Sequence, residues 1–140
     1  MPGLSQIGLW GRDVDRTRKA IAALTPDHII YHEPDLEQAA RDADIIVTAT
    51  GATHPLICSD WIKTGTHITA VGADAPGKQE LDIDLVAGAD LVAVDLVSQC
   101  IDHGEISHAV GCGKLPSNRL VELGTILSEP SKGCLLYTSD

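Results

Sequence analysis

Asp44 to Thr50 reads DIIVTAT. Three successive β-branched residues, Ile45 to Val47, suit a pleated strand better than a helix. A run that is apolar at consecutive rather than alternate positions is expected of a strand covered on both faces, and such strands belong to parallel sheets flanked by helices. Gly51 and Pro55 end the run. Upstream, His28 to Glu33 (HIIYHE) predicts another strand between Pro26 and Pro34, and Asp35 with Gln38 makes a capping-box pattern ahead of a helix through Leu36, Ala39, Ala40 and Ala43. Earlier still, Gln6 to Gly11 (QIGLWG) predicts a strand, and Asp13 caps a helix carrying Val14, Thr17, Ile21 and Leu24 until Pro26 stops it.

The same alternation continues downstream. Ser59 caps a short helical piece through Trp61 and Ile62, His67 to Val71 (HITAV) is a strand, and Leu81 to Ala87 a short helix. Asp90 to Asp95 (DLVAVD) predicts a buried strand and Val97 to His103 a helix closed by Gly104. Asn118 to Leu127 reads as one more helix and Glu129 to Gly133 as a turn. Strands alternating with helices need right-handed crossovers, so the expected fold is α/β, a doubly wound, mostly parallel sheet with helices on both faces.

Composition narrows the function classes. The 140 residues hold one core's worth of apolar side chains, 44% of the chain, with no Phe and only two Trp and two Tyr. A formal charge of -10 repels phosphate backbones and anionic lipid, which argues against nucleic-acid and membrane partners. No run approaches eighteen apolar residues and the start lacks a basic segment leading into an apolar one, so the expected location is cytoplasmic. Cys58, Cys100, Cys112 and Cys134 form no C-x-x-C pair; Cys58 and Cys100 read as small core fillers. His103, Glu105 and His108 crowd metal-ligand types together, but at no spacing that places them on one face, so no metal is expected. His67, inside a strand, reads as a hydrogen-bonded core residue, while the role of His54 in its loop stays open. A fold that holds a dinucleotide would show G-x-G-x-x-G after its first strand, and the only G-x-G triplet here, Gly111-Cys112-Gly113, does not continue the pattern.

Two stretches carry more information than the periodicity: ADIIVTAT (43–50) with Pro55, and GTHITAVGADAPGKQELD (65–82). With Val94-Asp95, Gln99, Gly104-Glu105-Ile106 and Glu122-Leu123-Gly124, they resemble the ornithine cyclodeaminase and mu-crystallin family over roughly residues 6 to 127. The resemblance implies a Rossmann-like NAD(P)-binding domain over residues 1–132 that lacks the first strand and the glycine-rich turn. It also implies that Met1 is an internal start and that an absent substrate and dimerisation domain lies upstream. Residues 133–140, ending CLLYTSD, depart from the family and read as a non-native tail.

Residue by residue, the family's motif aspartate, which moves protons in cyclodeaminases, corresponds to Asp74; spacing alone, with Asp before Ala-Pro-Gly, favours a turn carboxylate, and the motif match reverses that. Mu-crystallin carries no aspartate here, so Asp74 favours an enzyme over a binder. Lys78 matches a lysine that contacts the cofactor, against a plain solvated lysine. Thr48 is either a nicotinamide-side contact or a simple β-former, and Ile68, Thr69, Ala70 and Val71 match a segment that lines the cofactor with backbone atoms. Arg12 follows Gly11 where NAD-specific relatives carry an acidic residue, which leans towards NADP, unless Arg12 is merely solvated beside Asp13. The implied function is conversion of L-ornithine to L-proline and ammonia by internal hydride transfer. Alternatives are an NAD(P)H-dependent imino-acid reductase, acting on a ketimine or pyrroline-2-carboxylate, an alanine dehydrogenase, or a mu-crystallin-like binder without turnover. The implied ligands are NAD or NADP and an amino or imino acid, with a homodimeric parent; this chain alone is expected to be inactive and marginal.

Overall fold

The computed structural model describes residues 4–24 and 29–129. Pro26 as a helix stop, His28 as a strand start, most of the Glu129 to Gly133 turn and the tail from residue 133 lie outside the described residues. The chain divides into two compact units, one formed by the segment up to Ile46 with Asp60–His67, the other by Val47–Ser59 and the segment from Ile68 onward.

In the first unit, β1 (Gln6–Leu9) pairs in parallel with β2 (Ile29–His32), in register Gln6 to Ile29 through Leu9 to His32. The crossover is α1 (Val14–Ala23), whose first turn is capped by the Asp13 carboxylate accepting from the Arg16 N–H at 2.9 Å. Helix α2 (Leu36–Asp42) is capped by Asp35, which accepts from the Gln38 N–H at 3.2 Å. The reciprocal half of the expected capping box is made differently: Glu33 accepts the Asp35 N–H, and the Gln38 amide turns forward to Asp42.

Strand β3 (Ile45–Thr48) pairs with β5 (His67–Ala70). Bonds from His67 N–H to Asp44 O and from Val71 N–H to Thr48 O advance in the same sense along both strands. The expectation that DIIVTAT is covered on both faces is overturned on one of them: Ile45 and Val47 are 56% and 65% exposed while Thr48 is buried. His67, expected in the core, is exposed, and Cys58 and Cys100 are only half-buried.

The second unit holds β4 (Thr53–Ile57) parallel to β6 (Gln79–Leu81), followed by α3 (Ile83–Gly88), which Asp82 caps. Strand β7 (Val92–Val94) pairs in parallel with β8 (Leu120–Glu122), and α4 (Val97–His103), α5 (Ser107–Gly111) and α6 (Leu123–Ser128) complete it. Its buried side chains include Ile57, Leu81, Val86, Val92, Val94, Ile106, Ala109 and Leu115. The sequence expectation missed β4, because Pro55 read as a breaker. It placed a helix start on Leu81 that is the end of β6, and it merged β8 and α6 into one helix. The fold is α/β with parallel pairing, as expected, and among the described residues the strands form four two-stranded sheets.

Candidate active site

Strands β3 and β5 and the loop that follows β5 carry all of the singled-out site residues except Arg12. After β5 the chain runs Val71, Gly72, Ala73, Asp74 and then turns at Ala75-Pro76-Gly77-Lys78, where the Lys78 N–H donates to the Ala75 carbonyl at 3.3 Å. Proline presets the second turn residue and Gly77 takes φ 78°, a positive value that side-chain-bearing residues avoid. The turn folds the chain back, so that the Lys78 ammonium ion-pairs with the Asp74 carboxylate. That hydrogen bond, and then the lysine's charge, hold the Asp74 carboxyl below the usual aspartate range. Asp74 remains largely exposed, while Lys78 is mostly covered.

Thr48 is buried, and both of its polar groups face inward: the carbonyl accepts the Val71 N–H at 2.9 Å and the hydroxyl donates to Glu80 at 2.8 Å. Along β5, Ile68 and Ala70 are half-buried, while Thr69 and, just past the strand, Val71 are exposed. The structure therefore brings Asp74 and Lys78 together and joins Thr48 to Val71 through the backbone.

Sequence reasoning missed the group at the centre of these loops. Glu80 is completely buried, and its carboxylate accepts from the Thr48 hydroxyl, the Thr50 N–H at 2.6 Å and the Gly72 N–H at 2.9 Å. A second carboxylate supports it: Glu105 accepts the Glu80 N–H at 2.9 Å and the Leu81 N–H at 2.6 Å. Burial raises the Glu105 pKa, opposed by the Leu81 and Glu80 backbone hydrogen bonds. His108 Nε2 lies 3.2 Å from the Lys78 carbonyl. Glu105 and His108 are thus engaged with backbone on β6 and its turn. Both glutamates stood inside the motif runs G-K-Q-E-L-D and G-E-I, but nothing in their spacing marks a carboxylate as buried.

In the first unit Arg12 is exposed and lines a shallow pocket of about 340 Å³ with Leu9, Trp10, Gly11, Asp13 and Arg16. The pocket opens beyond the carboxyl end of β1, beside the start of α1, so its charged lining combines two guanidinium groups with the capping carboxylate of Asp13.

The family model described as "Ornithine cyclodeaminase/mu-crystallin family" matches residues 1–134. An uncharacterised cyclodeaminase of Sinorhizobium fredii is 32% identical over 93% of this chain and 40% of its own length. The iminosuccinate reductase of Paracoccus denitrificans is 38% identical over 74% of this chain and 32% of its own. Its NAD+ complex superimposes with a TM-score of 0.77 at 31% identity, covering 89% of this chain and 38% of that one. An archaeal alanine dehydrogenase dimer with bound NAD gives a TM-score of 0.80 at 29% identity, over 89% of this chain and 39% of that one. The chain thus spans less than half the length of these relatives. The fold, the GADAPGKQELD run at the carboxyl ends of the strands and the match over residues 1–134 agree, and the chain belongs to the ornithine cyclodeaminase/mu-crystallin family.

Proposed function

We propose that this chain forms the nicotinamide-dinucleotide-binding part of an NAD(P)H-dependent imino-acid reductase. The observation that carries the reading is its likeness, in sequence and in fold, to the iminosuccinate reductase of Paracoccus denitrificans. The cyclodeaminase reading that the motifs imply becomes the second one, favoured by the Sinorhizobium fredii relative.

The residues present suit a dinucleotide. Open α/β sheets bind ligands outside the carboxyl ends of their strands, and Asp74 and Lys78 follow the carboxyl end of β5. Arg12, with Arg16 beside it, offers charge-assisted hydrogen bonds to a ribose phosphate, which fits NADP as well as NAD. Thr48 and the backbone of Ile68, Thr69, Ala70 and Val71 shape the nicotinamide side, Thr48 acting through its bond to Glu80.

When bound, the reduced nicotinamide supplies a hydride to the imine carbon. Asp74 has the other half of the chemistry. Held ionised by Lys78, it favours the protonated imine, keeping the proton on nitrogen and the carbon electrophilic.

The test uses the intact gene product carrying this sequence, with NADH and NADPH compared. Oxaloacetate plus ammonia, pyruvate plus ammonia and pyrroline-2-carboxylate are each supplied, following loss of reduced nicotinamide; L-ornithine is supplied separately, following ammonia release. The reductase reading expects oxidation of the cofactor with at least one imine. Ammonia release from ornithine without net cofactor turnover would establish the second reading instead, and tight cofactor binding with no turnover would leave a binder.

A further inference from the structure

We infer that Glu80 is a positioning residue for the nicotinamide edge, acting as a staple between the two loops that carry it; the inference rests on the functional reading above. Of the carboxylates facing this edge, Asp74 is exposed and Glu80 is completely buried. A buried carboxylate is costly unless its oxygens are matched by donors. Here the donors come from three places: the last residue of β3, the loop two residues on, and the first residue past Val71 on the other strand. Two of the three are backbone N–H groups, which can only donate. Glu80 therefore ties the main chain after β3 to the main chain after β5, at the point where both leave their ladder.

The approach it enforces is close. A Cβ at Gly72 would lie 2.2 Å from the Thr50 carbonyl oxygen and 2.5 Å from the Glu80 carboxyl carbon, so only glycine fits. Asp74 follows two residues later, and its N–H donates back to the Gly72 carbonyl at 3.0 Å. The position of the proposed catalytic carboxylate is thus set through Gly72 by a completely buried side chain bonded to the loops. Glu105, by gripping the N–H groups of Glu80 and Leu81, fixes the backbone from which Glu80 reaches.

Isosteric glutamine cannot replace this glutamate. Whichever way its amide is turned, the NH2 group faces a backbone N–H, at Thr50 or at Gly72, and one tie is lost. The experiment compares the intact gene product with Glu80→Gln and, as an independent way of parting the same loops, Gly72→Ala. Three quantities are read: thermal stability, amide hydrogen exchange, and NAD(P)H affinity with the imine-reduction constants.

The expected result is faster exchange at Thr50 and Gly72 in both variants while Val92, Val94 and Ala109 keep their protection. Cofactor affinity or kcat should fall on the order of tenfold, the size of effect that small misplacements near a reacting centre produce. The double variant should be no worse than the poorer single one, because both act on one contact. A folded Glu80→Gln protein with loosened Thr50 and Gly72 amides but unchanged affinity and kcat would overturn the inference, leaving Glu80 as a stability residue. Unchanged exchange at both amides would overturn it as well. If the parent protein binds no nicotinamide cofactor, the functional reading fails and the inference falls with it, while the exchange data still report whether the staple exists.

Discussion

Asp74 and Lys78 show how four residues of turn chemistry create an electrostatic pair. Proline and glycine at the centre of the turn return the chain on itself, and the lysine arrives beside the aspartate four residues earlier. Because the first cause of the lowered Asp74 pKa is the Lys78 hydrogen bond, Lys78→Met should return the carboxyl towards its ordinary 3.8. Carbon-detected NMR titration of the Asp74 carboxyl checks this, and an unmoved midpoint in the variant would contradict it. Any stabilisation from this pair is present above the ordinary aspartate value and lost as pH falls through the depressed one. Both partners stood in the sequence as motif residues. Glu80 stood in the same run, but nothing there marked it as buried, because burial of a glutamate depends on which donors the fold delivers to it.

Among the described strands β6 is buried at all three of its positions, and two carboxylates serve it, one its own and one from the turn between α4 and α5. The sequence reading placed Leu81 at the start of a short helix running to Ala87. The strand forms instead because β4 offers a parallel partner, with Gln79 N–H on Ala52 and Asp82 N–H on Ile57, both at 2.9 Å. That partner was invisible while Pro55 counted as a breaker; an edge position on β4 tolerates the missing N–H. Glu105 makes a pH prediction at this scale. Burial raises its pKa, so its contribution to stability is fully present below the ordinary glutamate value of 4.5 and is lost as pH rises through the folded value. Glu105→Gln removes that titration, so the stability difference between parent and variant should narrow as pH rises across this window. Denaturant midpoints measured from pH 4 to 7 test it, and a difference that widens with pH would contradict the assignment.

At the scale of the molecule, several strands leave apolar residues exposed. Ile29 and Tyr31 on β2, Ile45 and Val47 on β3, and Val71 after β5 are between 37% and 68% exposed. Alternation survives on each strand, so one face of each is covered and the other is not. Uncovered apolar strand faces and unpaired strand edges favour association. The 140-residue chain expressed alone is therefore expected to bind a hydrophobic dye and to grow in apparent mass with concentration, despite its net charge of -10. Sedimentation of a dye-silent monomer at high concentration would count against this. No helix among the described residues is long and apolar enough to cross a membrane.

Local chemistry was enough to read the β-branched runs, the aspartates at helix starts, the Pro-Gly turn and the motif that marks the family, since each depends on residues a few positions apart. The capping of α1 by Asp13 belongs to that class. What the tertiary structure alone decided is long-range: Pro55 inside a strand, Ile45 and Val47 left uncovered, and a carboxylate at Glu80 that joins residues 30 and 32 positions away. A backbone N–H donor looks the same everywhere in a sequence, and only the packed chain determines which acceptor reaches it.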